Sequence, residues 1–219
     1  MAKRSKSKRA SSRGYSKRTR YVPRAPVSVP DSTVVVMRYC TSLSLFSGAL
    51  NFDEHVYRGG SIFDPDFTGV GQQPMSHDQW AQLYGKYRVE ASRVKIWAVN
   101  NDTGPCMIVC TPTEFTTVIA DGPTAQEFAY NKAEVMGEAG GNDSSTIVMP
   151  WIKTATFKGD KGAKYDSDYS ASFGSNPALD FYYHVLAWNP TGTTSVSCTV
   201  TICIEYKVRM FDRVNLVGS

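Results

Sequence analysis

Val196-Ser-Cys-Thr-Val-Thr-Ile-Cys-Ile-Glu-Tyr-Lys-Val-Arg-Met210 alternates without a break. One set holds Val196, Cys198, Val200, Ile202, Ile204, Tyr206, Val208 and Met210. The other holds Ser197, Thr199, Thr201, Cys203, Glu205, Lys207 and Arg209. Period two puts successive side chains on opposite faces of a strand, so this stretch predicts one long strand with a dry face and a wet face. Strands usually run about 3–10 residues.

The rest of the chain supplies partners. Before this strand come the turn Asn189-Pro-Thr-Gly192 and the aromatic stretch Leu179–Trp188. Thr154–Ala178 is a long polar loop rich in Gly and Ser, and such loops tend to be functional. Glu134–Glu138 and Ser145–Lys153 flank Gly140-Gly-Asn-Asp143 and predict a hairpin. Thr124–Asn131 predicts a short helix. Cys106–Thr111 is a short apolar strand bounded by Asn100–Pro105 and by Pro112. In Tyr87–Asn100, Val94, Ile96 and Ala98 alternate with Arg93, Lys95 and Trp97. Ser76 predicts the cap of a short helix with Gln79 as its capping-box partner. Trp80, Leu83 and Tyr84 then share a face, and Gly85 ends the helix. Glu54–Phe63, broken by Gly59-Gly60, is a second strand. Ser32–Phe52 is a long first one, with Gly48 at its end or at a bulge. The count is about eight strands and two short helices, with no β-α-β alternation. That predicts an all-β domain over residues 31–219, an eight-stranded antiparallel single jelly roll.

Residues 1–30 have a different composition. Ten Lys or Arg precede any acid: Lys3, Arg4, Lys6, Lys8, Arg9, Arg13, Lys17, Arg18, Arg20 and Arg24, with the first acid at Asp31. Pro23, Pro26 and Pro30 make Tyr21–Pro30 an extended connector. The arm has too few apolar residues to offset its ordering entropy and is expected to be disordered alone. The chain's net charge of +4 hides the asymmetry: without the arm, 14 Lys plus Arg face 20 Asp plus Glu, or −6. A basic tail on an acidic body points to a polyanion-binding appendage. Phosphate contacts of this kind are salt-sensitive and blind to base sequence. The clusters Lys3, Arg4, Lys6, Lys8, Arg9 and Lys17, Arg18, Arg20 also fit a nuclear import signal.

Catalytic and metal chemistry finds little purchase. His55, His77 and His184 stand singly, without ligand spacing. Asp64-Pro65-Asp66 is an acid pair or cation site by residue type and a turn by its proline; the turn is favoured. No phosphate loop, nucleophile elbow or HExxH is present, so no enzyme, cofactor or metal is expected. Trp80, Tyr84 and Tyr87, and Phe181, Tyr182, Tyr183 and Trp188, are candidate stacking platforms, with core positions the commoner use. Arg93 and Lys95 share one strand face, either as phosphate contacts or as a solvated surface. Cys40, Cys106, Cys110, Cys198 and Cys203 are odd in number and lack CxxC. They are expected as small apolar strand residues in a reducing compartment rather than as a disulfide framework. No apolar run is long enough for a membrane span, and the basic N-terminus lacks the apolar core of a secretory signal.

A basic arm ahead of an eight-stranded body of this length resembles the capsid proteins of circular Rep-encoding single-stranded DNA viruses, the circovirus-like group. The motif-level similarity lies in Ser61-Ile-Phe-Asp-Pro-Asp-Phe-Thr-Gly-Val-Gly-Gln-Gln-Pro-Met-Ser-His-Asp-Gln-Trp80, then Tyr84-Gly-Lys-Tyr-Arg-Val89 and Ser92-Arg-Val-Lys-Ile96. Many relatives carry Gly where this chain has Ser76. The resemblance implies a closed T=1 icosahedral shell of about sixty self-associating subunits. It also implies an arm inside on circular single-stranded viral DNA, and no catalytic residue. Such a protein resides in the virion and passes through the host nucleus during assembly, handled by a host import receptor. Sixty arms would bring on the order of 600 positive charges to the lumen. An arm and connector of about 30 residues reaches at most about 100 Å. Thr154–Ala178 and Asn100–Pro105 are expected as exterior loops, with attachment to a host receptor a further use. Two rivals share the same features: the capsid of a small RNA or satellite virus, and a cellular nucleic-acid-binding protein with a basic tail. A carbohydrate-binding or enzymatic jelly roll leaves the arm unexplained.

Overall fold

The long alternating stretch forms the strand its period predicts and lies between two other long strands. A computed structural model describes residues 29–214. The strands are β1 (Thr33–Ser47), β2 (Phe52–Arg58), β3 (Tyr84–Asn100), β4 (Cys106–Thr113), β5 (Lys132–Met136), β6 (Ser144–Val148), β7 (Ile152–Lys153), β8 (Ser170–Ser172), β9 (Tyr182–Trp188) and β10 (Val196–Arg213). Three short helices intervene: α1 (His77–Ala81), α2 (Gly122–Glu127) and α3 (Thr154–Phe157).

One sheet runs β1-β10-β3-β6, with β7 and β8 pairing further along β3. The other runs β2-β9-β4-β5. Every pair is antiparallel. Eight of the ten strands, four in each layer, follow the order of a single jelly roll, and the short β7 and β8 extend the first layer to six. Between the layers lies one main core. All eight apolar residues of the Val196–Met210 set are buried in it, beside Val94, Ile96 and Ala98 of neighbouring β3 and in one cluster with Val185 and Ala187 of β9 from the other layer.

Tyrosine is a core residue here. Tyr84, Tyr87, Tyr183 and Tyr206 are all fully buried. Each hydroxyl has a partner: Tyr84 donates to Pro30 O (2.9 Å), Tyr87 to Ser175 O (2.9 Å) and Tyr206 to Arg58 O (2.7 Å), while Tyr183 meets Ser92 Oγ (3.0 Å). Burial pushes the Tyr87 hydroxyl up to about 12 and those of Tyr183 and Tyr206 higher, so they stay neutral.

Several local expectations change. The hairpin predicted from Glu134–Glu138 and Ser145–Lys153 does not form. β5 pairs with β4 and β6 with β3, and the Gly140–Asp143 turn carries the chain from one sheet to the other. Turn residues announce a reversal, not the partner of each strand. Ser76 does precede α1, but with φ 70 and no side-chain cap bond, so the capping box is absent. The helix stops at Ala81, and Tyr84 and Gly85 already belong to β3. Pro112 lies inside β4. β5 pairs only as far as Cys110, so Pro112 sits where β4 has one neighbour and its missing N–H is tolerated. Thr154–Ala178 is not one loop: it holds α3, a 3-10 turn at Ser167–Tyr169 and β8. Thr154 Oγ1 donates to Val89 O (2.9 Å), and Arg88 donates to the carbonyls of Lys164 and Asp166. Finally, Cys40 and Cys203 stand opposite each other in the β1–β10 register and form a disulfide, with Cα atoms 4.2 Å apart. Pairing register, invisible in one strand's sequence, brings them together. Cys106, Cys110 and Cys198 are free and buried, as their apolar reading requires.

Connections gather at two ends. At one, Asn100 N–H donates to Asp143 O (2.7 Å), Asn101 N–H to Ser197 O (2.9 Å) and Ala139 N–H to Asp102 O (2.8 Å). At the other, Thr33 pairs with Met210 and Tyr84 with Arg213, Arg213 Nη1 donates to Val29 O (3.0 Å) and Val214 N–H donates to Leu83 O (3.0 Å). The chain enters and leaves the described body side by side. The two stretches expected as exterior loops lie at opposite ends, Asn100–Pro105 at the first and Thr154–Ala178 at the second.

Candidate functional site

The ten basic residues of the arm, Lys3 to Arg24, lie outside the described residues. What the structure gives is their root: the end where Val29 and Pro30 meet β3 and β10. The site that can be built atom by atom lies further along the same sheet, at the middle of β1, β10 and β3.

Arg38, Glu205 and Arg93 stand in one row across β1, β10 and β3. Glu205 lies on the wet face of β10, yet its side chain is buried beneath cations. Arg38 Nε reaches Oε1 at 2.9 Å, Arg93 Nε reaches Oε2 at 2.5 Å and Lys95 Nζ lies 3.5 Å from Oε1. Burial acts to raise the Glu205 carboxyl, but the Arg93 hydrogen bond and the charges of Arg93, Lys95 and Arg38 outweigh it and hold the group below the usual carboxylate range. A second carboxylate, Glu90, takes Arg209 at 2.7 Å and Lys207 at 3.8 Å. Trp151 lies against the Arg93 guanidinium, 4.8 Å from ring centroid to Cζ. Trp97, next outward on β3 after Lys95, is 45% exposed. So Arg93 and Lys95 do share a face, but they are paired rather than merely solvated. Arg38, Glu205 and Trp151 were not legible as members of this group, because cross-strand register and the return of the chain after β6 place them there.

The other candidates resolve into structure. Asp66 accepts from Thr68 N–H (2.9 Å) and Oγ1 (2.7 Å), and His55 Nε2 lies 3.0 Å from both its oxygens. Burial works to raise the Asp66 carboxyl, and those hydrogen bonds from Thr68 and His55 hold it below its ordinary value. It is a turn anchor. His184 is fully buried, its Nδ1 against Glu54 Oε1 and its Nε2 2.8 Å from Phe115 O. His77 is buried in α1 beside Phe63 and Phe173. Tyr84 and Tyr87 are core, with Trp80 partly buried beside them. Phe181, Tyr183 and Trp188 are core as well. Among the described residues no group of three or more His, Cys, Asp or Glu is placed to hold a metal ion, and no helix is long and apolar enough to cross a membrane.

No family model and no curated protein matches the sequence. Solved structures with similar backbones include that of Desmodium yellow mottle tymovirus, with 10% identity, a TM-score of 0.44 and coverage of 89% of this chain and 95% of that one. A semi-empty virus-like particle of the nodavirus of the giant freshwater prawn Macrobrachium rosenbergii overlaps with 12% identity, a TM-score of 0.42 and coverage of 89% and 100%. Cucumber necrosis virus overlaps with 14% identity, a TM-score of 0.46 and coverage of 87% and 60%. The fold assignment rests on the strand order itself.

Proposed function

We propose that this chain is the subunit of a small viral capsid that closes on copies of itself and packages circular single-stranded DNA through its arm. The observation that supports the reading is the joining of an acid-free arm of +10 to a jelly roll of −6. Such a body does not need to hold a genome over its whole surface, because the arm supplies the counter-charge. Sheet ends and loops of a jelly roll can meet neighbours around symmetry axes, so T=1 closure by about sixty copies is consistent with the fold. The chain acts as a structural protein of the virion and not as an enzyme. The same arm clusters serve import into the host nucleus before assembly.

An RNA-packaging capsid is the second reading, because an arm that holds phosphates does not distinguish the two polymers. Expression of the full chain, electron microscopy and digestion of extracted contents test both. Closed particles with contents lost to DNase alone are expected. Contents lost to RNase alone overturn the DNA assignment and leave the capsid. Persistent monomers across salt and nucleic-acid conditions overturn the capsid and favour a cellular nucleic-acid-binding protein.

A further inference from the structure

The body's charge is unevenly spread. The β1-β10-β3-β6 sheet with β7 carries nine Lys or Arg against Glu90, Glu205 and Asp212, a net of +6. The rest of the body carries five against seventeen, a net of −12. Positive charge has been gathered onto one layer.

On its outer face the surplus is organised. Glu205 takes three cations and Glu90 two, so two carboxylates orient five positive side chains and neutralise only part of their charge. The exposed Lys153, opposite Ala91, adds a sixth. A groove of about 380 Å³ opens here, lined by Glu90, Ala91, Trp151, Lys153 and Lys207. That volume is in the range of pockets that hold small organic ligands. Trp97 offers an open ring two residues along β3 from Lys95. From Trp97 to Ala91, outward positions along β3 form a line of roughly 20 Å.

We infer that this face is a track for single-stranded nucleic acid, with phosphates on Arg38, Lys95, Lys153 and Lys207 and bases against Trp97 and the Trp151-walled groove. The inference rests on the reading of the chain as a nucleic-acid packager. Stacking on an exposed ring requires an unpaired base, which selects a single strand over a duplex. Backbone contacts of this type give affinity without sequence preference. The near end of the track, where Lys207 pairs with Ala91, lies six residues along β10 from Arg213 at the arm's root, within reach of a strand that the arm also holds.

Ultraviolet crosslinking of the full-length protein to an oligothymidylate, followed by peptide mapping, tests this. Crosslinks in peptides carrying Trp97 or Trp151, besides those in the arm, are expected. Crosslinks confined to residues 1–24 overturn the track. So does a carboxylate-to-amine crosslinker joining Lys153 or Lys207 to acidic residues of a second copy while the oligonucleotide leaves the face untouched. The full-length Lys153→Ala/Lys207→Ala double variant should lower the salt slope of oligonucleotide binding by about 1.4, at roughly 0.7 per lost phosphate contact. An unchanged slope in a variant with native circular dichroism overturns their role. If the variant does not fold, the wild-type crosslink map decides. Assembly is scored separately by microscopy. Track crosslinks without particles remove the capsid reading and keep the track, and particles with arm-only crosslinks do the reverse.

Discussion

Single positions show where this fold is under tension. Ser76 holds φ 70 at the entry to α1. The left-handed region costs a residue with a Cβ roughly 1–2 kcal/mol, while a glycine loses about 0.4–1 kcal/mol through its freer unfolded chain. Ser76→Gly is therefore predicted to stabilise the fold by up to about 1 kcal/mol, read from the urea midpoint. Asp180 is a second such position. It is buried, and its Oδ1 accepts from Gly60 N–H (2.6 Å) and Phe181 N–H (2.7 Å). Its Oδ2 has no hydrogen-bond partner among the described residues, with Arg58 3.7 Å away. Burial raises this carboxyl from 3.8 to about 6, against the pull of those two N–H groups and Arg58. The folded state thus holds the proton more tightly than the unfolded chain. Its contribution is complete below about pH 4 and is lost as pH rises through about 6, on the order of 2–3 kcal/mol. Asp180→Asn keeps the Oδ1 acceptor and removes the titration. Wild type should lose that amount relative to the variant between pH 4 and pH 7 in urea unfolding. Glu205 makes the opposite case, a carboxylate kept charged. Glu205→Gln leaves Arg93 and Lys95 without their counter-charge and is predicted to cost about 1–3 kcal/mol by thermal or chemical unfolding. None of these three positions announces itself in sequence, because each depends on a backbone angle or a cross-strand neighbour.

At the level of elements, legibility followed period. β10, and β3 from Arg93 onward, are long, alternate and lie where their patterns put them, because burial on one face enforces period two; the first half of β3, beside a bulge at Lys207/Val208, does not alternate. β5 and β6 are five residues each, and their pairing went to different sheets despite the turn between them. Short strands carry little burial, so layer membership is decided by the core around them. The polar stretch Thr154–Ala178 hid its order for another reason: part of its anchoring is by hydrogen bonds to backbone carbonyls, which leave no apolar pattern. Protection should rank accordingly. In native-state hydrogen exchange, amides of Val200–Tyr206, flanked by strands on both sides, are predicted to exchange slowest, and those of β5, at the edge of its sheet, among the fastest of the strand amides.

For the molecule as a whole, the arm and the body divide their work by composition. The described residues, 29–214, already hold a continuous core. Deleting Met1–Arg24 is therefore predicted to leave the far-ultraviolet circular dichroism and the unfolding transition unchanged. Nucleic-acid packaging, read from the ultraviolet absorbance ratio of purified particles, is predicted to be lost. The jelly-roll layout was legible because eight strand patterns without β-α-β alternation leave few architectures, whereas the basic layer was not, since its charges come from strands far apart in the chain. The chain enters and leaves the body side by side, with Arg213 bonded to Val29. A reporter enzyme fused directly after Val214 would emerge next to the arm's root, away from the Gly140–Asp143 turn. If the chain packages nucleic acid as proposed, fusion there places cargo beside it, while insertions at that far turn would mark the opposite end of the subunit.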